Sequence, residues 1–484
     1  MIDFSKLEQY RENNRIEAKK ALGGLPKSIW ETYSAFANTY GGIILLGVEE
    51  RADKSLHPVD LPDPDRLIRE FWDIVNNPNK TSVNILSVRD VFVQEVDGAH
   101  IVVIRVPRAE RSYKPVYVDG NPLCTYRRNG EGDYRCTREE YQAMVRDASV
   151  RTQDMLVLNE MDLGVFHPES VRSYRQRMRL SRPGHVWESL EDEEFLLKLG
   201  AVGIGSDGKK HPTSAGLLMF GNEYDIVREF NAYFLDYQEQ YDADTRWTDR
   251  IISSSGDWSG NVYDFYFRIY NRLIQDIKVP FRMDGGNRVD DTPVHQALRE
   301  ALANCLVNAD YYGRQGLVIL KKRDGITMSN PGSFRIELDA AKSGGVSDPR
   351  NGTMLKMFNL IDIGERAGSG IPNIFRVWRE QGWAAPTFTE QLEPERTILS
   401  LTFKKIGDKK SAIKIGDKKS VINEKMKETI IAYLTDHAEA KTAEIAAYIG
   451  LKLSRTRDYL NELIAEDIVV AEGGNRNRTY RLRS

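Results

Sequence analysis

Two polar side chains stand four positions apart in an otherwise apolar segment, residues 292–312 of the chain. The segment predicts a helix, because its apolar residues recur at intervals of three and four: Ala297, Leu298, Ala301, Leu302, Cys305 and Leu306. The polar residues are Glu300 and Asn304, and positions i and i+4 share one helix face. A carboxylate and an amide oxygen on one face suit a hard cation such as Mg²⁺. The same short pattern also fits a solvated Glu beside an ordinary polar Asn, so the spacing alone leaves both interpretations open.

The elements after this helix favour a phosphate site. Residues 317–321 and 326–329 predict two strands, and the second runs into an Asn-Pro-Gly turn at 330–332. A glycine-rich loop at 364–370 precedes an apolar-periodic helix, 371–378. Small residues before a helix start allow backbone N–H groups to approach a phosphate. This order of elements is typical of an adenine-nucleotide site.

The order resembles the GHKL (Bergerat) ATP-binding fold, and more closely the divergent branch of that fold in RecG-like transcriptional regulators. Six motifs occur in the family's order: Arg299-Glu300-Ala301-Leu302-Ala303-Asn304, Asp310-Tyr311, Asn330-Pro331-Gly332, Arg350-Asn351, Gly368-Ser369-Gly370-Ile371 and Pro386-Thr387-Phe388. The resemblance implies that ATP is bound, with Glu300 as base for an attacking water and Asn304 as a magnesium ligand. It also implies that Gly368 and Gly370 surround the phosphates.

The chain departs from this family at one box. Residues 329–332 stand where the family has DxGxG, whose Asp accepts a hydrogen bond from the adenine amino group. Asn330 can accept the same bond but carries no charge, and Gly332 is the single glycine left in the box. The resemblance therefore implies nucleotide binding more strongly than efficient hydrolysis.

A second set of charged residues, near the start of the chain, could hold a divalent cation. On a strand, Glu17 and Lys19 are two positions apart and face the same side. With further carboxylates from Glu12 and Glu50, such a strand can bind a metal and hold a lysine near a phosphate that undergoes hydrolysis. Charged residues make up 29% of the chain, so an ordinary charged face is the alternative.

The surroundings of these residues resemble the Schlafen AlbA-type domain over residues 9–135. The matching segments are Glu12-Asn13-Asn14-Arg15-Ile16-Glu17-Ala18-Lys19, Ser34-Ala35-Phe36-Ala37-Asn38-Thr39, Gly41-Gly42, Gly47-Val48-Glu49-Glu50, Lys114-Pro115-Val116-Tyr117 and Tyr126-Arg127-Arg128-Asn129-Gly130. The resemblance implies a nucleic-acid-binding domain with Arg127 among its contacts. In Schlafen nucleases, acids at the positions of Glu12, Glu17 and Glu50 cut RNA with a metal, Mg²⁺ or Mn²⁺, whereas many bacterial relatives carry only a DNA-binding assignment. Glu50 replaces a frequent Asp and Ala18 an aromatic, and neither change abolishes metal binding on chemical grounds.

Within this first part, local patterns predict an α+β unit. Ser28 and Glu31 form the pattern of a capping box for a helix that ends at Gly41-Gly42. Strands are predicted at 43–48, 84–87, 92–96 and 99–106, and Asp97-Gly98 predicts a tight hairpin between the last two.

The C-terminal part predicts a tethered small domain. Residues 404–423 contain a near-repeat, Ile-Gly-Asp-Lys-Lys-Ser, that predicts a flexible linker. After it, helices are predicted at 426–433 and 442–450 and a third helix capped by Ser454, followed by strands at 468–471 and 479–482. This is the pattern of a winged helix-turn-helix.

In a winged helix-turn-helix, the third helix enters the major groove and the wing contacts the backbone. The nucleic-acid-binding candidates are therefore Ser454, Arg455, Thr456 and Arg457 on the helix and Arg476 and Arg478 on the wing. Residues 404–484 hold seventeen Lys or Arg against twelve Asp or Glu, a local positive excess that suits DNA. A winged helix that serves protein interaction or dimerisation is the alternative.

These observations predict an α+β multidomain protein. Its segments are a Schlafen AlbA-type domain at 1–145, a connecting helical or mixed region at 146–290, a GHKL-like α/β sandwich at 291–403, the linker at 404–423, and the winged helix-turn-helix at 424–484. Helices are also predicted at 192–199 and 258–277.

Composition excludes several classes of protein. The chain of 484 residues has a net charge of −3 and three cysteines far apart, which argues against a disulfide framework and a cysteine zinc site. No apolar run approaches the ~20 residues of a membrane helix, and the polar N-terminus lacks a signal-peptide core. We therefore expect a cytoplasmic protein that does not enter a membrane.

Three functions remain open at this point. The leading hypothesis is a regulator or defence protein that binds nucleic acid and is controlled by ATP. The rival is a metal-dependent RNA endonuclease gated by the nucleotide domain, and the third is a nucleotide-binding scaffold without catalysis. The choice between DNA and RNA, any weak ATPase activity, and assembly into a homo-oligomer are not decided by the sequence.

Overall fold

The computed structural model describes residues 2–241, 246–275, 282–284, 287–289, 292–364, 368–404, 430–431, 433–435, 437, 439–449, 456, 459–460, 463–464, 469–472 and 479–482. Contacts divide the chain into two units, Met1–Phe403 and Lys404–Ser484. The fold is α+β and multidomain, as predicted. Every helix in the described ranges is too short or too polar to span a bilayer.

The N-terminal part of the first unit is built on a four-stranded sheet. The strands of this N-terminal part are β1 (Ile16–Lys19), β2 (Gly42–Leu46), β3 (Val48–Glu50), β4 (Leu56–Pro58), β5 (Val91–Val96), β6 (Ala99–Val106), β7 (Tyr126–Asn129) and β8 (Gly132–Arg135). The sheet order is β1-β2-β6-β5, with β1 parallel to β2 and the other pairs antiparallel, while β3-β4 and β7-β8 form separate hairpins. Helices α1 (Ile29–Asn38), α2 (Pro64–Val75) and α3 (Arg138–Ala148) complete this part.

Local chemistry explains these elements. Asp97 and Gly98 both have positive φ, 50° and 79°, the conformation that a two-residue hairpin between β5 and β6 needs. Asp63 accepts a hydrogen bond from the backbone of Arg66, and Pro64 opens α2. Ile44 and Leu46 of β2 share one core with Ile29, Tyr33 and Phe36 of α1, whereas Leu45 of β2 packs in a separate cluster.

Two sequence predictions in this part are wrong. No strand forms at 84–87, because the Tyr33 hydroxyl bonds the backbone of Val83 and Ile85 and the Asn84 side chain bonds the backbone of Leu86. The capping box at Ser28 is absent, since that residue already has helical φ and ψ of −68° and −11° and its side chain makes no capping bond. The helix also ends earlier than predicted, at Asn38.

The rest of the first unit holds the second, larger sheet. The strands of this part of the chain are β9 (Val202–Ile204), β10 (Lys210–Pro212), β11 (Leu235–Gln240), β12 (Asp249–Ile252), β13 (Arg282–Asp284), β14 (Asn287–Val289), β15 (Leu317–Lys322), β16 (Gly325–Pro331), β17 (Thr387–Leu392) and β18 (Glu395–Thr402). Six of them form one sheet in the order β12-β11-β15-β16-β18-β17. Strand β11 is parallel to β15, and the other neighbours are antiparallel.

Helices cover this sheet. They are α4 (Pro168–Ser181), α5 (Asp192–Leu199), α6 (Ser214–Phe220), α7 (Glu223–Glu229), α8 (Val262–Ile274), α9 (Pro293–Val307), α10 (Leu338–Ser343), α11 (Gly352–Leu360) and α12 (Gly370–Glu380). Short 3₁₀ turns lie at Phe4–Gln9, Val88–Asp90, Arg111–Tyr113, Gln153–Met155, Leu163–Val165 and Ser253–Ser255. The predicted helices at 192–199, 258–277, 292–312 and 371–378 correspond to α5, α8, α9 and α12.

The predicted connecting region is part of this sheet and its core. Strands β11 and β12 belong to segment 146–290, yet β11 pairs with β15 of segment 291–403. One apolar cluster runs from Leu158 to Leu401. The boundary placed at 290 therefore crosses a continuous sheet and a continuous core.

The second unit has a small core of its own. Strands β19 (Ala440–Lys441), β20 (Val469–Glu472) and β21 (Thr479–Leu482) form an antiparallel sheet, and α13 (Thr442–Ile449) follows β19 directly in the chain. Buried side chains include Ile430, Leu434, Ile445, Leu460, Leu463 and Tyr480. The helix predicted at 442–450 and the strands predicted at 468–471 and 479–482 are confirmed.

The nucleic-acid candidates of the tail fall largely outside the described residues. Ser454, Arg455, Arg457, Arg476 and Arg478 are not among those residues, nor is the linker 406–423. The one described member of the predicted set, Thr456, is fully buried. Its prediction as a groove contact is therefore wrong.

Candidate nucleotide pocket and acidic cluster

One cavity brings together five of the six residues predicted to bind nucleotide. Glu300 and Asn304 enter it from α9, Asn330 from the end of β16, and Gly368 and Gly370 from the start of α12. Much of the remaining wall is apolar: Met328, Leu355, Ile371, Ile374, Phe388 and Leu399. An apolar cavity with a few convergent polar groups is the usual form of a small-molecule site.

The two polar residues of α9 contact each other. The Nδ2 atom of Asn304 donates a hydrogen bond to Oε1 of Glu300 at 3.1 Å, so the side chains share the face that their spacing predicts. The opposite face of α9 is buried in the core through Ala297, Leu298 and Leu302. The amide nitrogen of Asn304 thus faces the Glu300 carboxylate, and the side-chain oxygens of both residues are of the type that a hard cation binds.

Close packing explains the two glycines. A Cβ atom on Gly370 would collide with the carboxylate of Glu300. Gly368 has a φ of +66°, and a Cβ atom there would lie 2.6 Å from the carbonyl oxygen of Val346. Because Gly370 begins α12 and lines the cavity, backbone N–H groups at the positive end of that helix adjoin the site. This arrangement suits a phosphate.

Asn330 and Gly332 have different surroundings. Asn330 is buried, and its Nδ2 donates to the carbonyl oxygen of Pro331 at 3.4 Å. Gly332 lies outside the cavity wall. It has a φ of +96°, and the guanidinium of Arg350 lies 2.8 Å from where its Cβ would be. The structure therefore gives Gly332 a place in the turn behind the cavity.

The four charged residues near the start of the chain also lie close together. Strand β1 carries Glu17 and Lys19, whose carboxylate and ammonium are 2.5 Å apart. Oε1 of Glu12 accepts a hydrogen bond from the backbone of Ala18 at 2.8 Å. Burial raises the pKa of Glu12, and the neighbouring carboxylates of Glu17 and Glu50 raise it further. Oε1 of Glu50 is buried without a hydrogen-bond partner.

Glu17 is held by cations on both carboxylate oxygens. Its second oxygen accepts a hydrogen bond from Arg128 at 2.7 Å, and only 6% of its side chain is exposed. The Arg128 guanidinium is 1% exposed and also pairs with Asp133 at 3.0 Å and with the backbone oxygen of Asn13. A metal ion at Glu17 would have to displace Lys19 or Arg128. Across the described ranges, no group of three or more His, Cys, Asp or Glu side chains has an arrangement that could hold a metal.

The side chain of Arg127 lies on the opposite face of strand β7 from that of Arg128. Its guanidinium is 10% exposed and pairs with Glu395 at 2.8 Å, a residue of β18 in the larger sheet. Burial opposes ionisation of Glu395, but the Arg127 charge and hydrogen bond outweigh it and lower the pKa of Glu395 to about 2. Arg127 is thus part of a contact between two parts of the chain, and it would have to leave that ion pair to bind a phosphate of nucleic acid.

Sequence reasoning missed several residues at this contact. Lys114 and Arg350 begin quoted motifs but were given no role, and Arg108, Arg111 and Arg335 lie outside the quoted motifs. Their partners lie more than 100 positions away in most cases, as with Arg108 and Glu390 at 2.6 Å. The one available signal was the presence of arginines inside both family-like motifs.

Comparisons with known families fit this architecture. The model described as "Schlafen, AlbA_2" matches residues 12–137, and the model described as "Putative ATP-dependent DNA helicase recG C-terminal" matches residues 318–399. A "Domain of unknown function (DUF8451)" matches 142–236, and "FaeA-like protein" matches 426–471. A search of curated proteins found no match.

Two solved structures are similar to the chain. The DIP2311 protein from Corynebacterium diphtheriae is 15% identical, with a TM-score of 0.40 over 97% of this chain and 95% of that one. The N-terminal domain of a "Putative ATP-dependent DNA Helicase RecG-related Protein" from Nitrosomonas europaea is 33% identical, with a TM-score of 0.23 over 28% of this chain and 95% of that one.

Fold and cavity together define an α+β protein that joins an AlbA-type domain to an ATPase-like domain. The chain belongs to the Schlafen AlbA_2 family through residues 12–137 and to the RecG C-terminal family through residues 318–399. Together, the two domains are those of a nucleic-acid-associated, ATPase-like protein.

Replacing Arg128 by Met should lower the free energy of unfolding by about 3–5 kcal/mol, because it removes the partner of the buried Glu17 carboxylate and of the half-buried Asp133 carboxylate. Urea denaturation of the two proteins measures the difference. Arg89→Met, at an exposed position, is the matched control and should stay within about 0.5 kcal/mol of the parent. Equal denaturation midpoints for Arg128→Met and the parent would contradict a structural role for this guanidinium.

Proposed function

We propose that this protein binds nucleic acid under the control of ATP and Mg²⁺ bound in the cavity of the ATPase-like domain. The observation that carries the proposal is the meeting of Glu300, Asn304, Asn330, Gly368 and Gly370 at one apolar cavity. These residues are separated by up to 70 positions in the chain, and their types match the parts of an adenine-nucleotide site. A regulatory or defence role would follow from such control.

The residues at the cavity have distinct proposed roles. Asn304 offers its amide oxygen to the magnesium ion, which would neutralise phosphate charge when bound. Glu300 is placed beside it to orient or deprotonate a water. Asn330 accepts a hydrogen bond from the adenine amino group, and the backbone around Gly368 and Gly370 holds the phosphates. Because Asn330 is uncharged, we expect the protein to bind ATP but not to hydrolyse it efficiently.

Nucleic-acid contact is proposed for the tail and the AlbA_2 domain. The tail has a local positive excess, and the proposed contacts are Ser454, Arg455 and Arg457 on a third helix with Arg476 and Arg478 on a wing. The match to a family described as FaeA-like protein over 426–471 is compatible with a winged helix. The target could be DNA or RNA, and the experiments below separate them.

A second candidate function is a metal-dependent RNA endonuclease. The observation that favours it is the closeness of Glu12, Glu17, Lys19 and Glu50, with the orphaned Oε1 of Glu50 among them. In this proposal Mg²⁺ or Mn²⁺ would bind the carboxylates after Glu17 releases one of its cations.

The nucleotide site can be tested with two substitutions. Asn304→Ala should weaken Mg·ATP binding about tenfold or more, the order expected for losing one contact to a charged group. Glu300→Gln should spare binding and lower whatever hydrolysis occurs. Calorimetric titration with and without Mg²⁺ measures the affinities, and Asn373→Ala, outside the cavity wall, is the control. Equal ATP affinity in Asn304→Ala and the parent would overturn the assignment.

The tail can be tested by truncation and by salt dependence. Deleting 424–484 should abolish duplex binding, measured by fluorescence anisotropy. Arg476→Ala should weaken all duplexes alike and flatten the log–log salt slope by roughly 0.9, whereas Arg455→Ala or Arg457→Ala should cost about 1–3 kcal/mol on a preferred sequence only. Arg172→Ala, on exposed α4 in the first unit, is the control. A truncated protein that binds duplexes as tightly as the full chain would place binding in the AlbA_2 domain.

The nuclease alternative has a matched pair of variants on one strand. Glu50→Gln should remove metal-dependent cleavage of transfer RNA, while Glu49→Gln, whose carboxylate pairs with Lys20 instead, should retain it. Cleavage is followed on gels with Mg²⁺, with Mn²⁺ and with chelator, and duplex DNA is run in parallel. Cleavage that persists in Glu50→Gln would show that these acids are not the source.

A further inference from the structure

The AlbA_2 domain and the ATPase-like domain meet at a surface rich in buried ion pairs. In each pair one residue lies before position 148 and the other at position 310 or later. The pairs are Arg108 with Glu390 at 2.6 Å, Arg127 with Glu395 at 2.8 Å, Arg146 with Asp310 at 3.2 Å, and the shorter contacts of Arg111 with Asp348 and Asp147 with Arg350. We call this surface the domain junction.

The domain junction encloses a cavity of about 470 Å³. One water molecule needs only ~10–15 Å³ on this scale, so a hydrated polyatomic ligand can enter. Five cationic side chains line the cavity, four from the AlbA_2 domain and one from the ATPase-like domain: Arg108, Arg111, Lys114, Arg127 and Arg335. Of these five residues, Arg127 alone has an expected ligand, which is nucleic acid.

Two of these cations have buried N–H groups that meet no acceptor. The Arg335 side chain is 7% exposed, and its Nε atom is buried without a hydrogen-bond partner. The Nε atom of Arg127 is likewise buried and unpartnered. A buried donor without an acceptor destabilises the folded protein, and an oxygen-rich ligand would remove that penalty. Burial lowers the pKa of the Arg335 guanidinium to about 10.

Lys114 is the lining cation without a counter-charge. Its Nζ donates to the backbone oxygen of Asn38 at 3.0 Å, and among the described residues no carboxylate lies within ion-pair distance of it. Burial, followed by the charges of Arg108 and Arg127, lowers the pKa of Lys114 to about 7. An anion in the cavity would supply the missing charge and favour the protonated lysine.

The carboxylates of the cavity do not compensate Lys114. Asp147, Asp348 and Glu395 are each held in an ion pair with an arginine. The remaining two, Glu110 and Glu337, are exposed, so solvent and salt screen them. The charges of Glu390 and Glu395 offset part of the effect of burial and of the arginines, but the pKa of Lys114 stays lowered, so its protonated form lacks a compensating partner.

We propose that the domain-junction cavity is a second ligand site that binds a phosphate group through Lys114, Arg127 and Arg335. The site goes beyond the proposed nucleotide cavity, although the two are neighbours: Ser333, Phe334, Arg335, Ile336, Val346 and Asp348 line both. The phosphate has two sources that share this chemistry. It is either a free phosphate or the terminal phosphate of a nucleotide that extends from the neighbouring cavity.

The test uses the full-length protein and inorganic phosphate, followed by phosphorus NMR titration. The parent should bind phosphate saturably, and Lys114→Met should weaken it about tenfold or more, as expected for losing a hydrogen bond to a charged group. Lys114→Arg keeps the charge and should retain most of the affinity. Lys80→Met removes an exposed lysine of the same domain and should change nothing. Circular dichroism confirms that each variant is folded.

Two further titrations distinguish the sources. If the phosphate is the end of a nucleotide, ATP should exclude free phosphate, and Lys114→Met should weaken ATP but not AMP. If the site is separate, phosphate should bind equally well to ATP-saturated protein. Equal phosphate and ATP affinities in Lys114→Met and the parent, or no saturable phosphate binding with ATP affinity unchanged, would overturn the proposal. Because the first titration contains no nucleotide, its failure is distinct from failure of the proposed nucleotide function.

Discussion

Helix α9 must bury one face while it presents two polar side chains to a cavity, and the ATPase-like half of the protein is arranged around that constraint. Its apolar residues enter the core that runs from Leu158 to Leu401. The opposite face carries Glu300 and Asn304, which a buried environment tolerates only when they are hydrogen-bonded or hold a ligand. Gly370 allows α12 to approach this face, because any side chain there would collide with Glu300. The core thus positions the site.

Part of this arrangement was predictable from local patterns. Helical spacing alone places Glu300 and Asn304 on one face, and glycines before an apolar helix indicate a phosphate loop, so these predictions need no tertiary information. The partners of the two neighbouring arginines, Arg127 and Arg128, were not predictable in the same way. Arg127 and Arg128 are adjacent on β7, and side chains alternate across a strand. Arg128 therefore enters the AlbA_2 core and binds Glu17, while Arg127 crosses to Glu395.

The features that were predicted wrongly or not at all depend on the backbone conformation that the folded chain adopts and on long-range contacts. The capping box at Ser28 matched a local pattern but failed, because the backbone of Ser28 is already helical. The segment 84–87 matched an apolar strand, but the Tyr33 hydroxyl, some 50 positions away, bonds its backbone instead. The pair of Arg108 and Glu390 joins residues 282 positions apart. No local pattern contains such pairings, and they define both the domain junction and its cavity.

The short segment Ser333–Phe334 forms part of the wall of both cavities. Its residues line the cavity beside α9, while its backbone is hydrogen-bonded to the ion pairs of the domain junction. The Phe334 N–H donates to Glu390 at 2.8 Å and its carbonyl accepts from Arg108 at 3.0 Å. The Ser333 N–H donates to Glu395 at 3.1 Å. A ligand that displaces this backbone must carry Arg108, Glu390 and Glu395 with it or break charge-assisted hydrogen bonds, each worth about 1.5–3 kcal/mol. The wall of the cavity beside α9 and the ion pairs that join the AlbA_2 domain to the larger sheet therefore share the hydrogen bonds of this one segment.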